Sequence, residues 1–195
     1  MVRILVLTFI LLSNVFSQED TSEHVGVWSF YGGISSMGAS VDIDDYDESR
    51  EMGFNLGLMR SVSDKWTVGV GYSQRGWSGD GYNSIIDEYY KEEWELSGIE
   101  LWATYNVFPL GNGTFFFGPS LLILNEADFK LEVYGETFSD EVDIDDNDFS
   151  IILGVAMPLS TGSSLNFGYQ RSINELEDSI LFNQLFMEIS IPFSN

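Results

Sequence analysis

Evenly spaced acidic residues are the side chains of this chain whose pattern could bind a metal ion. Oxygen ligands at alternate loop positions are how proteins direct carboxylates and amides at Ca²⁺. That spacing is found in four residues, Asp143, Asp145, Asn147 and Asp148. The glycine of an EF-hand turn and its final glutamate are missing, however. Two interpretations therefore stand, a Ca²⁺ or Mg²⁺ site and a solvated charge run that keeps the loop extended.

Side chains for acid–base or nucleophilic catalysis are scarce. Histidine occurs once, as His24, and cysteine is absent. Hydrolytic sites generally place a histidine beside a serine or a carboxylate, and the sequence specifies no such partner for His24. The 31 acidic residues offer many carboxylate pairs but single out none. We therefore predict that the protein is not an enzyme and has no cofactor, Ca²⁺ apart.

Charge and composition exclude several other classes of protein. Eight basic and 31 acidic residues give a net charge of −23, which would repel the phosphate backbone of a nucleic acid. Without cysteine, neither disulfides nor thiol-based metal or redox sites can form. The 15% aromatic content and 19 glycines indicate a single β-rich domain with solvated acidic loops.

The N-terminus has the pattern of an export signal. Arg3 is followed by an apolar run from Ile4 to Leu12, and Val15 and Ser17 suit the −3 and −1 positions of a cleavage site. The run is too short for a membrane-spanning helix, which needs about 20 residues. We predict a signal peptide at residues 1–17 and one domain at residues 18–195.

Strand-like alternation of apolar with small or polar residues recurs along the domain. It is clearest in a hairpin from Gly98 to Leu124, where Leu101 and Tyr105 alternate with Glu100 and Trp102. The same period-two pattern predicts further strands on both sides of this hairpin. In total the sequence predicts eight strands, at residues 25–34, 51–60, 66–75, 98–107, 115–124, 149–157, 165–170 and 184–193.

The connections between these strands alternate in length. Short links at residues 61–65, 109–113 and 158–162 separate long ones at residues 35–49, 76–93 and 126–147, with a medium one at residues 173–181. All tight turns therefore fall at one end and the long acidic loops at the other, as in an up-and-down barrel of the outer membrane. We predict an all-β, eight-stranded antiparallel transmembrane barrel. A soluble sandwich or cup with an internal ligand pocket is the alternative.

In such a barrel the small polar face fills a narrow lumen and the apolar face meets lipid. The small polar face of the strands includes three charged residues, Arg75, Glu100 and Glu188. An isolated charge inside the lumen would be costly to desolvate. We expect Arg75 to pair with Glu100, with Glu188 joining across the lumen. The alternative is that each lies near water at a barrel mouth.

Aromatic residues gather at the short-turn end. An outer-membrane barrel carries an aromatic girdle at the membrane interface, and a soluble fold would bury the same residues in its core. The predicted girdle consists of Trp66, Tyr105, Phe108, Phe115, Phe117 and Phe193.

Three segments make the chain resemble a known family, the small outer-membrane β-barrel proteins of Gram-negative bacteria called outer membrane protein beta-barrel domain or PorT-like. They are GIELWATYNVFPLGNGTFFFGPSLLIL at residues 98–124, DFSIILGVAMPL at 148–159 and NQLFMEISIPF at 183–193. Members typically end on an aromatic residue that the barrel-assembly machinery reads, and Phe193 fits that position although Ser194 and Asn195 follow it. The resemblance implies a role in secretion or envelope assembly.

The sequence thus predicts a monomer of the outer membrane whose lumen is filled by side chains, so that it is not a diffusion porin. Its partners are outer-membrane lipid, the assembly machinery during biogenesis, and an extracellular or envelope component that contacts the acidic loops. Nucleic acid is excluded as a partner. A secreted, soluble binding protein is the alternative class.

Overall fold

The computed structural model describes residues 25–41, 46–83, 87–141, 147–159, 162–175 and 180–193, and the regular structure in these ranges is β-strand. No helix of these residues is long and apolar enough to cross a membrane. The strands are β1 (Trp28–Val41), β2 (Tyr46–Ser61), β3 (Trp66–Asn83), β4 (Glu88–Leu110), β5 (Gly113–Val133), β6 (Glu136–Glu141), β7 (Asp148–Pro158), β8 (Ser164–Ser172) and β9 (Ile180–Pro192). The predicted signal peptide and His24 lie outside the described residues.

The sheet closes on itself. Each strand pairs antiparallel with the next around a ring of eight, β1-β2-β3-β4-β5-β7-β8-β9, and β9 pairs back onto β1. The remaining strand, β6, lies beside the ring and pairs with the second half of β5, while β7 pairs with the first half of β5. This topology confirms the predicted up-and-down barrel, because a closed ring satisfies every strand edge.

The two faces of the strands differ as the alternation predicts. Small and polar side chains such as Ser35, Ser73 and Ser120 are buried inside the ring. Large apolar side chains on the opposite face are exposed around the outside. They include Phe30, Ile34, Leu56, Phe117, Ile151, Leu153, Phe167, Leu185, Met187, Ile189 and Ile191, each at least 39% exposed. This apolar belt is the reverse of a soluble protein, which buries such residues.

The predicted long loops at residues 35–49, 76–93 and 126–147 are wrong in extent. β1 continues to Val41, β3 and β4 stay paired as far as Asn83 and Glu88, and β5 pairs with β4 up to Val133. Polar residues on both faces hide the alternation here. Cross-strand ring contacts stabilise the extension, among them Trp77 with Trp94 at 5.3 Å between centroids.

The extended parts of β3, β4, β5 and β6 form one continuous sheet, which we call the outer wall. β4 has 23 residues and spans about 78 Å at roughly 3.4 Å per residue. A tilted strand crosses a bilayer with about 9 to 11 residues. More than half of β4 therefore projects beyond the apolar belt.

Two hairpin turns follow from backbone geometry. Gly111, with φ +61°, is the first central residue of the two-residue link between β4 and β5, a position that favours glycine in a II′ turn. At the tip of the outer wall both Tyr134 and Gly135 have positive φ, 55° and 74°, as a I′ turn requires. The predicted link at residues 109–113 is therefore even tighter, because Pro109 and Leu110 still pair with Thr114 and Gly113.

Glycines inside the ring make room for aromatic side chains of neighbouring strands. A Cβ added at Gly69 would fall on the Trp102 indole, and one added at Gly168 would fall on the Phe186 ring. A narrow eight-stranded lumen can hold such rings only where the facing strand has no side chain.

Candidate functional site: the barrel interior

The barrel interior contains three layers along its axis. Nearest the loop end is an apolar plug of Met37, Ala39, Trp77, Leu96, Ala127 and Phe182. All of these residues are at most 4% exposed, and Trp94 and Leu124 pack against them. This layer closes the lumen toward the loops.

The middle layer is a polar network centred on Arg75. Its guanidinium pairs with Glu100 at 2.5 Å and with Asp148 at 3.1 Å, and its Nε donates to Ser73 at 3.1 Å. Arg75, Glu100 and Asp148 are at most 4% exposed. One cation therefore stands between two carboxylates, and the three residues come from β3, β4 and β7.

Neutral donors complete this network from other strands. Ser120 donates to Glu100 at 2.6 Å and Gln170 donates to the same oxygen at 2.9 Å. Ser150 donates to Asp148 at 2.7 Å. Strands β3, β4, β5, β7 and β8 are thereby joined across the lumen, which satisfies most of the buried charge.

The third layer is a cavity of about 520 Å³ between the polar network and the short-turn end. Its inner end is formed by Glu100, Gln170 and Glu188. Toward the short turns it is lined by Val27, Ser61 and Pro192, which lie at or beside strand ends. The lumen is therefore filled near the loops and open near the short turns.

Glu188 lies in this cavity apart from Arg75. It accepts a hydrogen bond of 2.5 Å from the Asn55 amide, and no ion pair to it is found among the described residues. Asn55 is only 5% exposed, and its own carbonyl oxygen has no hydrogen-bond partner in the part of the chain that the structure describes. Glu188 thus has a neutral partner where Glu100 has a cation.

Aromatic rings form part of the cavity wall. Trp102, Phe116 and Phe186 line it, and the Trp102 indole donates to the Tyr31 hydroxyl at 3.2 Å. Tyr31 also contacts Trp102 edge to face at 5.6 Å between centroids. The cavity therefore combines apolar faces with a carboxylate.

The outer wall is strongly acidic. Its exposed carboxylates, with the neighbouring end of β2 included, are Glu51, Asp80, Glu95, Glu126, Asp128, Glu132, Glu136, Asp140 and Glu141. Both wall lysines lie beside one of its acids, Lys91 at 3.0 Å and Lys130 at 3.9 Å from Glu93. The hydrogen bond from Lys91 lowers the pKa of the Glu93 carboxyl. The wall has far more negative than positive charge.

Two of the four residues predicted to bind metal belong to the part of the chain that the structure describes. Asp143 and Asp145 lie outside the described residues. Asn147 is exposed and its backbone carbonyl accepts from Asn174 at 2.9 Å, whereas Asp148 points into the lumen toward Arg75. The described part of the chain contains no cluster of three or more potential metal-binding side chains.

The predicted girdle residues lie toward the short turns. Trp66, Phe108, Phe117 and Phe193 are 43–51% exposed, while Tyr105 and Phe115 are partly covered by rings beside them. Contacts link Trp66 to Tyr105 and Tyr105 to Phe117.

Sequence reasoning missed Asp148 as an inward-facing residue. It assigned Asp148 to an acidic loop, although Asp148 shares the parity of Ser150 and Ile152, which face the lumen of β7. This shared parity could have identified Asp148 as a lumen residue from the sequence. Gln170 and Ser120 were counted only as small polar filling.

Comparisons with known proteins identify the fold. No family model matches the sequence, and no curated protein matches it. Among solved structures, Neisserial surface protein A is similar with a TM-score of 0.55 at 12% identity, over 85% of this chain and 97% of that one. The attachment invasion locus protein of Yersinia pestis, in complex with the heparin analogue sucrose octasulfate, gives a TM-score of 0.52 at 12% identity, over 87% and 99%. The chain therefore has the fold of the small outer-membrane β-barrel proteins.

Proposed function

We propose that this protein is an integral barrel of the outer membrane that anchors an acidic outer wall at the cell surface for contact with a partner. The observation that carries the anchoring role is the belt of exposed apolar side chains around a ring whose interior is polar. Burying that belt in lipid removes it from water, at about 25 cal/mol per Å² of apolar surface. A water-soluble barrel would gain nothing from this arrangement.

The lumen supports a role other than diffusion. The apolar plug and the Arg75 network span the interior, so a solute would have to break buried ion pairs to pass. We infer that the barrel does not conduct. A role in anchoring and contact also fits an interior where charged groups bind one another, with no nucleophile and base paired among the described residues.

The charge of the outer wall indicates the kind of partner. The Yersinia protein is described in complex with a sulfated heparin analogue, which is a polyanion. The acidic wall of this chain would repel such a ligand. We therefore propose a cationic partner, a basic protein surface or a divalent-cation layer of the envelope. The acidic sequence VDIDD occurs twice, at residues 41–45 and 142–146, and its negative charge would add to the attraction.

The resemblance to PorT-like barrels suggests the process that such a contact serves. Secretion and envelope assembly both need anchored surface proteins that bind other envelope components. We propose this setting for the present chain, as a monomer inserted by the barrel-assembly machinery.

Membrane fractionation and gel mobility test the anchoring role. We expect the exported protein in the outer-membrane fraction, soluble only with detergent, and running at different positions when heated and unheated. Planar bilayers containing the refolded protein should show no stable conductance steps. Recovery of the protein in a soluble fraction without detergent would favour the secreted binding protein instead.

A further inference from the structure

The cavity at the short-turn end has the features of a binding site that the anchoring role does not use. Its volume of about 520 Å³ lies within the range of small-molecule pockets, about 300–1,000 Å³. A barrel that served only as an anchor could fill this space with side chains, as the plug fills the space near the loops. Here the interior stays open.

Glu188 and Asn55 form a hydrogen-bonded pair in the wall of the cavity. The Glu188 carboxylate accepts a hydrogen bond from the Asn55 amide nitrogen, while no donor among the described residues reaches the Asn55 carbonyl oxygen. Buried polar groups are almost always satisfied. Asn55 is buried, whereas Glu188 is only partly buried, so an N–H donor of a ligand in the cavity can reach the Glu188 carboxylate.

Charge then decides the class of ligand. The second carboxylate of the cavity, Glu100, already pairs with Arg75 at 2.5 Å. Glu188 has no such cation among the described residues, and a partly buried carboxylate favours a positive partner. An ammonium group supplies the charge and up to three donors.

The walls suit the carbon part of such a ligand. Trp102, Phe116 and Phe186 line the cavity, and aromatic faces attract both apolar groups and cations. A metal ion would need several oxygen ligands, and aromatic walls do not provide them.

We propose that this cavity binds a small organic amine, with Glu188 as counter-ion, Asn55 as the donor that holds the Glu188 carboxylate in place, and the aromatic rings around the carbon skeleton of the amine. The ligand enters from the short-turn end, which faces the periplasm in the proposed orientation. The site is separate from the outer wall. If the cavity binds no amine, the proposed anchoring role is unaffected.

Binding can be measured with benzylamine as a probe of defined charge, using calorimetry and Trp fluorescence on the refolded barrel in detergent. We expect saturable binding of benzylamine and much weaker binding of benzyl alcohol, its neutral counterpart of similar size. Glu188→Gln should weaken benzylamine binding by at least about tenfold, the loss expected for one charged hydrogen bond. Glu95→Gln, on the outside of the barrel, is the matched control and should leave binding unchanged.

Fold is checked independently by heat-modifiable gel mobility, which Glu188→Gln should retain because the amide can still accept from Asn55. A second variant leaves Glu188 in place. Because the chain has no cysteine, Ser61→Cys provides a single thiol at the cavity mouth, and a bulky maleimide there should block binding. The same label on Ser49→Cys, an exposed residue toward the loop end, should not.

Three outcomes would overturn the proposal. Equal binding of benzyl alcohol would show an apolar pocket without charge selection. Displacement of benzylamine by sodium or calcium chloride at equal ionic strength, as effective as by a second amine, would show a general cation site. Unchanged binding in Glu188→Gln or after labelling of Ser61→Cys would place the amine elsewhere.

Discussion

At the scale of single residues, Arg75 has the largest consequences for stability. It is the only cation in contact with two buried carboxylates in the described lumen. Removing one member of a buried ion pair leaves its partners without compensation, which costs more than the pair itself contributes. The network therefore makes each of its members sensitive to substitution.

We expect Arg75→Met to lower the free energy of unfolding by about 3–5 kcal/mol, because Glu100 and Asp148 would remain buried and unpaired. Urea unfolding of the barrel in lipid vesicles, followed by Trp fluorescence, measures the change. The triple variant Arg75→Met, Glu100→Gln, Asp148→Asn should regain most of the loss, since no charge is then left alone. Lys91→Ala, which removes an exposed ion pair with Glu93, should have no measurable effect. A triple variant less stable than Arg75→Met would refute this account.

At the scale of elements, adjacent strands fit together where a glycine on one meets a ring on the next. Gly69 of β3 faces Trp102 of β4. The register of these two strands places residue 69 directly opposite residue 102. A side chain at Gly69 and the Trp102 indole therefore compete for the same space in the lumen.

We expect Gly69→Ala to lower the free energy of unfolding by about 1–3 kcal/mol through overpacking. Combining it with Trp102→Leu should reduce that cost, and the double-mutant cycle in urea measures the coupling. Gly32→Ala on β1 is the matched control, because its added methyl group meets only ordinary contacts at 3.6 and 4.0 Å. Additive effects of Gly69→Ala and Trp102→Leu would contradict the steric explanation.

Sequence reasoning predicted the barrel because the apolar and polar faces differ most where the strands carry the belt. The alternation of short and long connections then indicated the up-and-down topology. The outer wall was missed because both of its faces contact water and carry polar residues, so the sequence shows no period-two alternation there. Its strand pairing depends instead on ring contacts between strands, such as that of Trp94 with Phe129. Asp148 was missed since its acidic neighbours in the sequence suggested a solvated run.

The cavity and the hydrogen-bonded pair of Glu188 and Asn55 in its wall could not be predicted at all. Glu188 was identified from parity as a lumen residue, yet its partner depends on how far each strand is shifted along the ring. Asn55 lies 133 positions away in the chain, and no local pattern joins the two. Only the closed geometry brings them together.

At the scale of the whole molecule, the apolar belt faces lipid and the outer wall faces water in the proposed orientation. Ile189 belongs to the belt at 48% exposure, and Tyr89 lies on the wall at 75% exposure. In water both side chains would tolerate a charge. In a membrane only the second would.

We expect Ile189→Lys to lower the free energy of unfolding in lipid vesicles by about 2–4 kcal/mol, the cost of a lysine facing the centre of a bilayer. Tyr89→Lys is the control and should change it little. Both variants are compared by urea unfolding and by heat-modifiable mobility. Equal, small effects would indicate a barrel surrounded by water, as in the soluble alternative.

The stacked indoles of Trp77 and Trp94 also give the protein an optical property. Their ring centroids are 5.3 Å apart and the ring planes are within 3° of parallel, so their excited states couple and should contribute to the ultraviolet circular dichroism of the protein. Trp77 belongs to the plug and Trp94 to the base of the outer wall. A change in this signal would report separation of β3 from β4 where the outer wall begins, without any label and in intact membranes.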